Sequence, residues 1–232
     1  MSLSHSPLIV RDGLVLCLDA ANPRSYPKSG TTWSDLKGSN NCVLTNMNAS
    51  NFNQDGKGSL TFDGTNEYGM ISDSDDFTVT ETTVCAWFKS FNFNSSQDNR
   101  GILSSYDSGG RQYYGLRTDS AASNNKLYTY YDDNAGYNFS ILRSTTSLTI
   151  NTWYYGCMTW KSGNFHRVYL NGIQEAEETN VATTTLNITT GFYIGKDNAG
   201  TTKGFYGNIS NASIYNRAVT ASEVLQNYNA TR

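Results

Sequence analysis

Two carboxylates set across a glycosidic bond can act as acid and base, or as acid and nucleophile. The chain has six glutamates: Glu67, Glu81, Glu175, Glu177, Glu178 and Glu223. Only Glu175, Glu177 and Glu178 cluster, just after an Asn171-Gly172 turn. Alternation along a strand places Glu175 and Glu177 on one face. No third acid and no aromatic cradle accompanies them, so they read as a solvated strand. His5 and His166 are the only histidines. Neither accompanies a serine or cysteine nucleophile motif, so a hydrolytic triad is not expected.

The tyrosines offer a different chemistry. Sugars are held by rings that stack on their C–H faces, while Asp, Asn and backbone groups take the hydroxyls. The stretch YTYYDDNAGYNF supplies Tyr128, Tyr130, Tyr131, Tyr137, Asp132, Asp133 and Asn134. The loop SYDSGGRQYY adds Tyr106, Asp107, Arg111, Tyr113 and Tyr114. Alternation sends about half of these rings into the core or into cross-strand stacks. As a group they are expected to form an exposed aromatic–polar surface. The same residue types suit a protein interface.

The stretch WYYGCMTWKSG sets Cys157 between Trp153 and Trp160. A free thiol, half of a disulfide and a metal ligand all fit a cysteine placed this way. The four cysteines, at 17, 42, 85 and 157, have no CxxC spacing, so a zinc site is not expected.

The elements that position these groups are strands. Candidates are Leu14–Leu18, Ser59–Phe62, Tyr68–Ile71, Thr82–Lys89, Gly101–Ser105, Tyr113–Arg117, Leu127–Tyr131, Trp153–Trp160, His166–Leu170, Phe192–Ile194 and Gly207–Tyr215. They are rich in Val, Ile, Thr and aromatics, and Gly/Asn/Asp/Ser clusters separate them. Asn171-Gly172 suits a type I′ hairpin turn. One helix is signalled, in RAVTASEVLQNY. Thr220 and Glu223 have capping-box spacing, and Val219 and Val224 have staple spacing. The chain of 232 residues has three prolines and no long polar linker, so residues 1–232 read as one domain with residues 1–11 as an N-terminal arm. So many antiparallel strands predict an all-β, two-sheet sandwich with a short C-terminal helix. A net charge of −3 gives no attraction for nucleic acid. No apolar run is long enough to insert in a membrane, and no secretion signal stands at the N-terminus.

Several segments together resemble the laminin-G-like and pentraxin-like branch of the concanavalin A-like jelly-roll sandwiches. SLTFDGTNEYGMI looks like that family's FDG run, with Phe62, Asp63, Gly64 and Tyr68 in place. TTVCAWF, WYYGCMTWKSGNFHRVYLNG and GNISNASIYNRAVTASEV are similar to its following strand, its hairpin and its closing strand and helix. The resemblance covers nearly the whole chain. It implies that Cys85 and Cys157 occupy the two half-cystine positions, while Cys17 and Cys42 are plain thiols. The family's glycosidases carry a Glu-x-Asp-x-x-Glu strand, which this chain lacks.

The resemblance also implies one calcium ion. Asp98, Asn99, Asp197 and Asn198 match part of a pentraxin ligand set, but Ala199 stands where an aspartate is expected. An alternative structural site uses Asp63 and Gly64, with Ser210 at its usual aspartate position. The opening DGLVLCLDAANPRSYPKSGTTWSDLKGSNNC, with Trp33 and Asp35, and the ending IYNRAVTASEVLQNYNATR look like laminin-G-like domains of tailed-phage virion proteins. The expected function is a non-catalytic binding module of a virion fibre, tail or capsid appendage that recognises host-surface carbohydrate. It would sit on the virion surface as a homo-oligomer among other virion proteins. The alternatives are a structural decoration protein and a glycoside hydrolase with an atypical acid pair.

Overall fold

A computed structural model describes residues 7–93, 100–106, 112–119, 125–132, 139–197 and 204–232. Alternating burial builds the architecture. In Leu14–Asp19 buried and half-buried residues alternate along the whole run, as a strand with one inward face requires. Strands are numbered in chain order. The first sheet runs β14 (Ile173–Glu178), β13 (Phe165–Leu170), β12 (Trp153–Lys161), β7 (Glu81–Ser90), β16 (Tyr206–Tyr215), β5 (Ser59–Asp63) and β4 (Phe52–Asn53). Strand β1 (Leu14–Asp19) pairs with the later half of β16. The second sheet runs β11 (Phe139–Ser147), β10 (Lys126–Asp132), β9 (Gln112–Thr118), β8 (Arg100–Tyr106), β15 (Phe192–Ile194), β6 (Tyr68–Ile71), β3 (Cys42–Thr45) and β2 (Thr32–Trp33). Every pairing between these strands is antiparallel.

Between the sheets lies one apolar core, to which Leu16, Phe62, Val84, Phe88, Leu116, Met158, Trp160 and Ile194 belong. A second, smaller cluster lies on the outer face of the first sheet. It joins Cys85, Tyr155, Cys157, Tyr169 and Tyr215 to Val219 and Val224. The helix α1 (Ala221–Thr231) covers it. Thr220 caps that helix by accepting from the Glu223 amide, and Glu223 in turn accepts from the Thr220 amide. Arg217 clamps Glu223 with two nitrogens at 2.9 and 2.6 Å and holds its carboxyl at about 2.

Cys85 and Cys157 are direct cross-strand partners of β7 and β12, with Cα atoms 4.1 Å apart, and they are joined as a disulfide. The bond lies under α1, not between the sheets. Cys17 and Cys42 are free, and burial pushes the Cys17 thiol up to about 12. The hairpin between β13 and β14 turns at Asn171 (φ 52°) and Gly172 (φ 83°), both left-handed as a type I′ turn demands. The Asp35 carboxylate accepts the amides of Cys17, Lys37, Gly38 and Asn40, which ties the opening loop to β1.

The clustered glutamates lie on an edge strand with no buried residue, as expected of a solvated strand, but two of them are engaged across the sheets. A bulge in β14 leaves Glu175 unpaired, between Gln174 opposite Tyr169 and Ala176 opposite Val168. Glu175 accepts the amides of Thr145 and Thr146 on β11 at 3.0 and 2.9 Å. Glu178 accepts from Ser140 on the same strand. Glu177 turns away to Arg167, at 2.9 Å. Two glutamates therefore stitch an edge of one sheet to an edge of the other.

His166 on β13 is fully buried, its Nε2 2.9 Å from Thr129 Oγ1 and its ring edge-on to Tyr131. Burial lowers its pKa from 6.5 to about 3. The folded state thus holds the neutral ring while the unfolded chain takes up a proton. Stability from this group is complete above the unfolded pKa and is lost as pH falls towards 3. The loss is about 2 kcal/mol by pH 5. Urea midpoints are expected to drop between pH 7.5 and 5 in the parent protein and to be flatter in His166→Gln. Equal slopes in the two proteins would assign the effect elsewhere. Alkylation of the unfolded, unreduced chain is expected to label Cys17 and Cys42 only. Label on all four cysteines would show that the Cys85–Cys157 bond is absent.

Candidate functional site

The outer face of the second sheet carries the candidate site. Cross-strand register lines up Val43, Met70, Tyr193, Ser104, Gly115 and Tyr130 in one row. A second row lines up Gly101, Arg117, Tyr128 and Arg143. Small residues in mid-row let bulky ones lean inwards: a Cβ on Gly115 would meet the Tyr130 hydroxyl at 3.2 Å and the Leu103 carbonyl at 2.5 Å. The Tyr130 hydroxyl donates to Ser105 O at 3.2 Å.

A charged cluster organises this face. The Arg117 guanidinium stacks 4.5 Å from the Tyr130 ring and 6.0 Å from Tyr128. Its Nε lies 3.2 Å from the Asp197 carboxylate. Arg143 stacks 5.2 Å from the other ring contact of Arg117, Tyr128, and pairs with Asp119 at 2.5 Å. Arg117 is only 2% exposed, so its charge needs this pairing to persist away from water. Burial pushes Tyr128 up to about 12 and Tyr130 higher still. Further along the face Tyr68 packs at a tilt against Tyr193, ring centroids 5.9 Å apart, and the Lys196 amine sits 5.0 Å above the Tyr68 ring. Tyr68 is half-buried, while Met70 and Val43 are exposed.

The tyrosines expected at the surface are mostly interior. Tyr113, Tyr128 and Tyr131 are 3%, 1% and 2% exposed, and Asp132 is buried with them. Tyr131 faces inwards onto Trp160 and His166. Tyr113 shares a hydrogen bond with Thr189 at 2.6 Å. Tyr114 donates to Phe77 O between the sheets. Both faces of β9 and β10 are covered, so alternation there separates two interiors rather than core from solvent. Tyr106 closes β8. Arg111, Asp133, Asn134 and Tyr137 lie outside the described residues. Arg117, Asp119, Arg143 and Lys196 were not anticipated. The signal available was the period-2 spacing of Arg117 and Asp119 at the end of β9, one strand before Tyr128 and Tyr130.

The described carboxylates do not fit a calcium ion. Hard cations need several free oxygens that converge. Asp197 faces Arg117 instead. Asp63 Oδ1 accepts the amides of Thr65, Asn66 and Glu67, within its own turn. The Gly64 carbonyl accepts from the Gly204 amide. Ser210, at the expected aspartate position, donates to Gly58 O at 2.8 Å and to Gly56 O at 3.3 Å. Beside it Lys89 supplies a cation to Asp55. Asp98, Asn99 and Asn198 lie outside the described residues, and no group of three or more His, Cys, Asp or Glu converges among the described ones. Thermal melts with calcium and with chelator are expected to coincide. A stabilising shift with calcium would overturn this reading of Asp63 and Asp197.

Comparison with known proteins bears on the fold. The laminin-G-type profile of the concanavalin A-like lectin/glucanases superfamily matches residues 63–225. No curated protein matches the chain. Among solved structures, a Trypanosoma rangeli sialidase with the inhibitor DANA is 17% identical with a TM-score of 0.70, over 97% of this chain and 35% of that one. The binding domain of Paraclostridial Mosquitocidal Protein 1 is 14% identical with a TM-score of 0.72, over 94% of this chain and 52% of that one. Domain 4 of AbnA, a GH43 extracellular arabinanase from Geobacillus stearothermophilus in complex with arabinotriose, is 16% identical with a TM-score of 0.67, over 94% of this chain and 100% of that one. The chain thus spans about a third of the sialidase's length. At these identities the likeness is one of fold. With the two antiparallel sheets and the closing helix, the family match shows that the chain belongs to the concanavalin A-like lectin/glucanases superfamily.

Proposed function

We propose that this chain is a non-catalytic carbohydrate-binding module. The observation that carries it is the uncovered part of the outer face of the second sheet, at β6, beside the buried cluster of Arg117, Tyr128 and Tyr130. Tyr68, half-buried between Tyr193 and the Lys196 amine, is the ring best placed to stack on a sugar. Acid–base cleavage gains no support from the strand carboxylates. Glu175 and Glu178 bind β11, and Glu81, Glu177, Asp119 and Asp197 face cations. The arabinanase domain was solved with arabinotriose, which agrees with sugar binding by this fold.

The setting we propose is a phage virion appendage facing host-surface glycan. It rests on the resemblance of the opening segment and closing helix to tailed-phage domains. Exposed Val43 and Met70 on the same face favour a second reading, a contact with another virion protein. No helix among the described residues is long and apolar enough to cross a membrane. A glycan array followed by calorimetry on the best hit tests the first reading. Tyr68→Ala is expected to weaken that binding by about 3- to 10-fold, the worth of one aromatic contact. Absence of any glycan hit would turn the assignment towards the protein contact.

A further inference from the structure

The outer face of the first sheet carries an open cleft of about 190 Å³. Its lining is Gly56, Lys57, Trp87, Trp153, Ser210 and the end of α1 at Thr231 and Arg232. Trp87 and Trp153 come together through the register of β7 and β12, which sets Trp87 opposite Tyr155 and Trp153 opposite Lys89. The two indoles are therefore diagonal neighbours on one face. Across them arches the 3-10 turn Asp55–Lys57. A Cβ on Gly56 would lie 2.6 Å from the Trp153 ring, so only glycine lets the turn settle there.

Both rings are fixed before any ligand arrives. Trp153 Nε1 donates to Asp55 Oδ1 at 3.0 Å, and Trp87 Nε1 donates to Thr231 Oγ1 at 2.7 Å. Trp87 also stacks on Tyr228 at 5.5 Å. Ring rotation is thereby restrained, which lowers the ordering cost of binding. A few polar groups edge the rings: the Ser210 hydroxyl, which donates to the Gly56 and Gly58 carbonyls, and the Lys57 amine, which reaches Arg232 O at 2.5 Å. The amine of Lys89 sits 5.5 Å from the Trp153 ring and is neutralised by Asp55.

We propose that this cleft is a second carbohydrate subsite that takes one pyranose or furanose ring against Trp87 and Trp153. Two flat apolar walls under a rim of hydroxyl, carbonyl and amine groups match the two aspects of a sugar, its C–H face and its hydroxyl edge. The volume is below the roughly 300–1,000 Å³ of sites that enclose drug-sized ligands, so a single ring is the natural occupant. A protein partner would cover about 800 Å² and some 20–30 residues a side, whereas seven residues line this cleft. Lys57 and Arg232 disfavour a cationic ligand. The subsite rests on the carbohydrate-binding reading, but it lies on the opposite sheet from Tyr68.

The test is a ¹⁵N–¹H titration of the tryptophan indoles with arabinotriose, cellotriose and sialyllactose. Trp33 and Trp160 are fully buried and serve as internal references. The Trp87 and Trp153 signals are expected to shift with at least one sugar while the references stay still. Trp153→Ala is expected to weaken that sugar by about 3- to 10-fold. Trp153→Phe keeps a ring and should retain most of the affinity, which guards against loss of fold in the alanine variant. Tyr68→Ala should leave these indole shifts unchanged. Sugar binding seen by calorimetry with both cleft indoles unmoved would overturn the subsite and leave the carbohydrate reading intact. No binding by any sugar of the set, or of the glycan array, would overturn both.

Discussion

The pairing of β12 with β7 is the constraint on which the rest depends. It runs unbroken from Trp153 opposite Lys89 to Lys161 opposite Glu81. Alternation along this ladder sends Val84, Phe88, Met158 and Trp160 between the sheets, and Cys85, Trp87, Tyr155 and Cys157 to the outside. A slip of one residue would exchange the two sets. Trp87 and Trp153 would then turn towards a core with no room for them, Trp160 would leave it, and the cysteines would no longer face one another. The cross-link and the two interiors therefore specify one register together.

The second sheet solves a different problem. Its outer face holds a guanidinium almost wholly out of water. Such a charge is tolerated only where a carboxylate and polarisable rings surround it. Arg117 meets that demand with Asp197, Tyr130 and Tyr128, and Arg143 extends the same arrangement to Asp119. The result is a stiff polar floor that joins β9, β10 and β11. Geometry of this kind can hold half-buried rings in a constant orientation.

Much of the fold was legible from residue order. Strands such as Tyr68–Ile71 and Phe192–Ile194 have the bounds that composition and turn residues suggest. The Asn171-Gly172 hairpin and the capping box at Thr220 formed for the local reasons their sequences carry. Strand β11 shows no apolar period in its sequence, because Ser140 and the polar run from Ser144 to Ser147 interrupt it. Strands β2 and β4 are two residues each, too short to show any period. The site was much less legible. Tyr128 and Tyr131 alternate as surface and core residues would; Tyr131 enters the core, but a covered outer face buries Tyr128 as well. Arg117 finds Asp197, and Trp87 finds Trp153, only through registers between strands distant in the chain. Local pattern cannot report such meetings.

The seam between β14 and β11 has a consequence for self-association. Unguarded strand ends invite a second molecule to add its own strand and so seed aggregates. Here the two outermost strands guard one another. The bulge at Glu175 interrupts the ladder of β14, and its carboxylate is already engaged with the Thr145 and Thr146 amides. The hydrogen bonds that engage it hold the Glu175 carboxyl below its ordinary range. It therefore keeps its negative charge into acid, and an approaching strand meets that charge where it would need free amides. This pair of edges is thereby closed to a further strand from a second molecule.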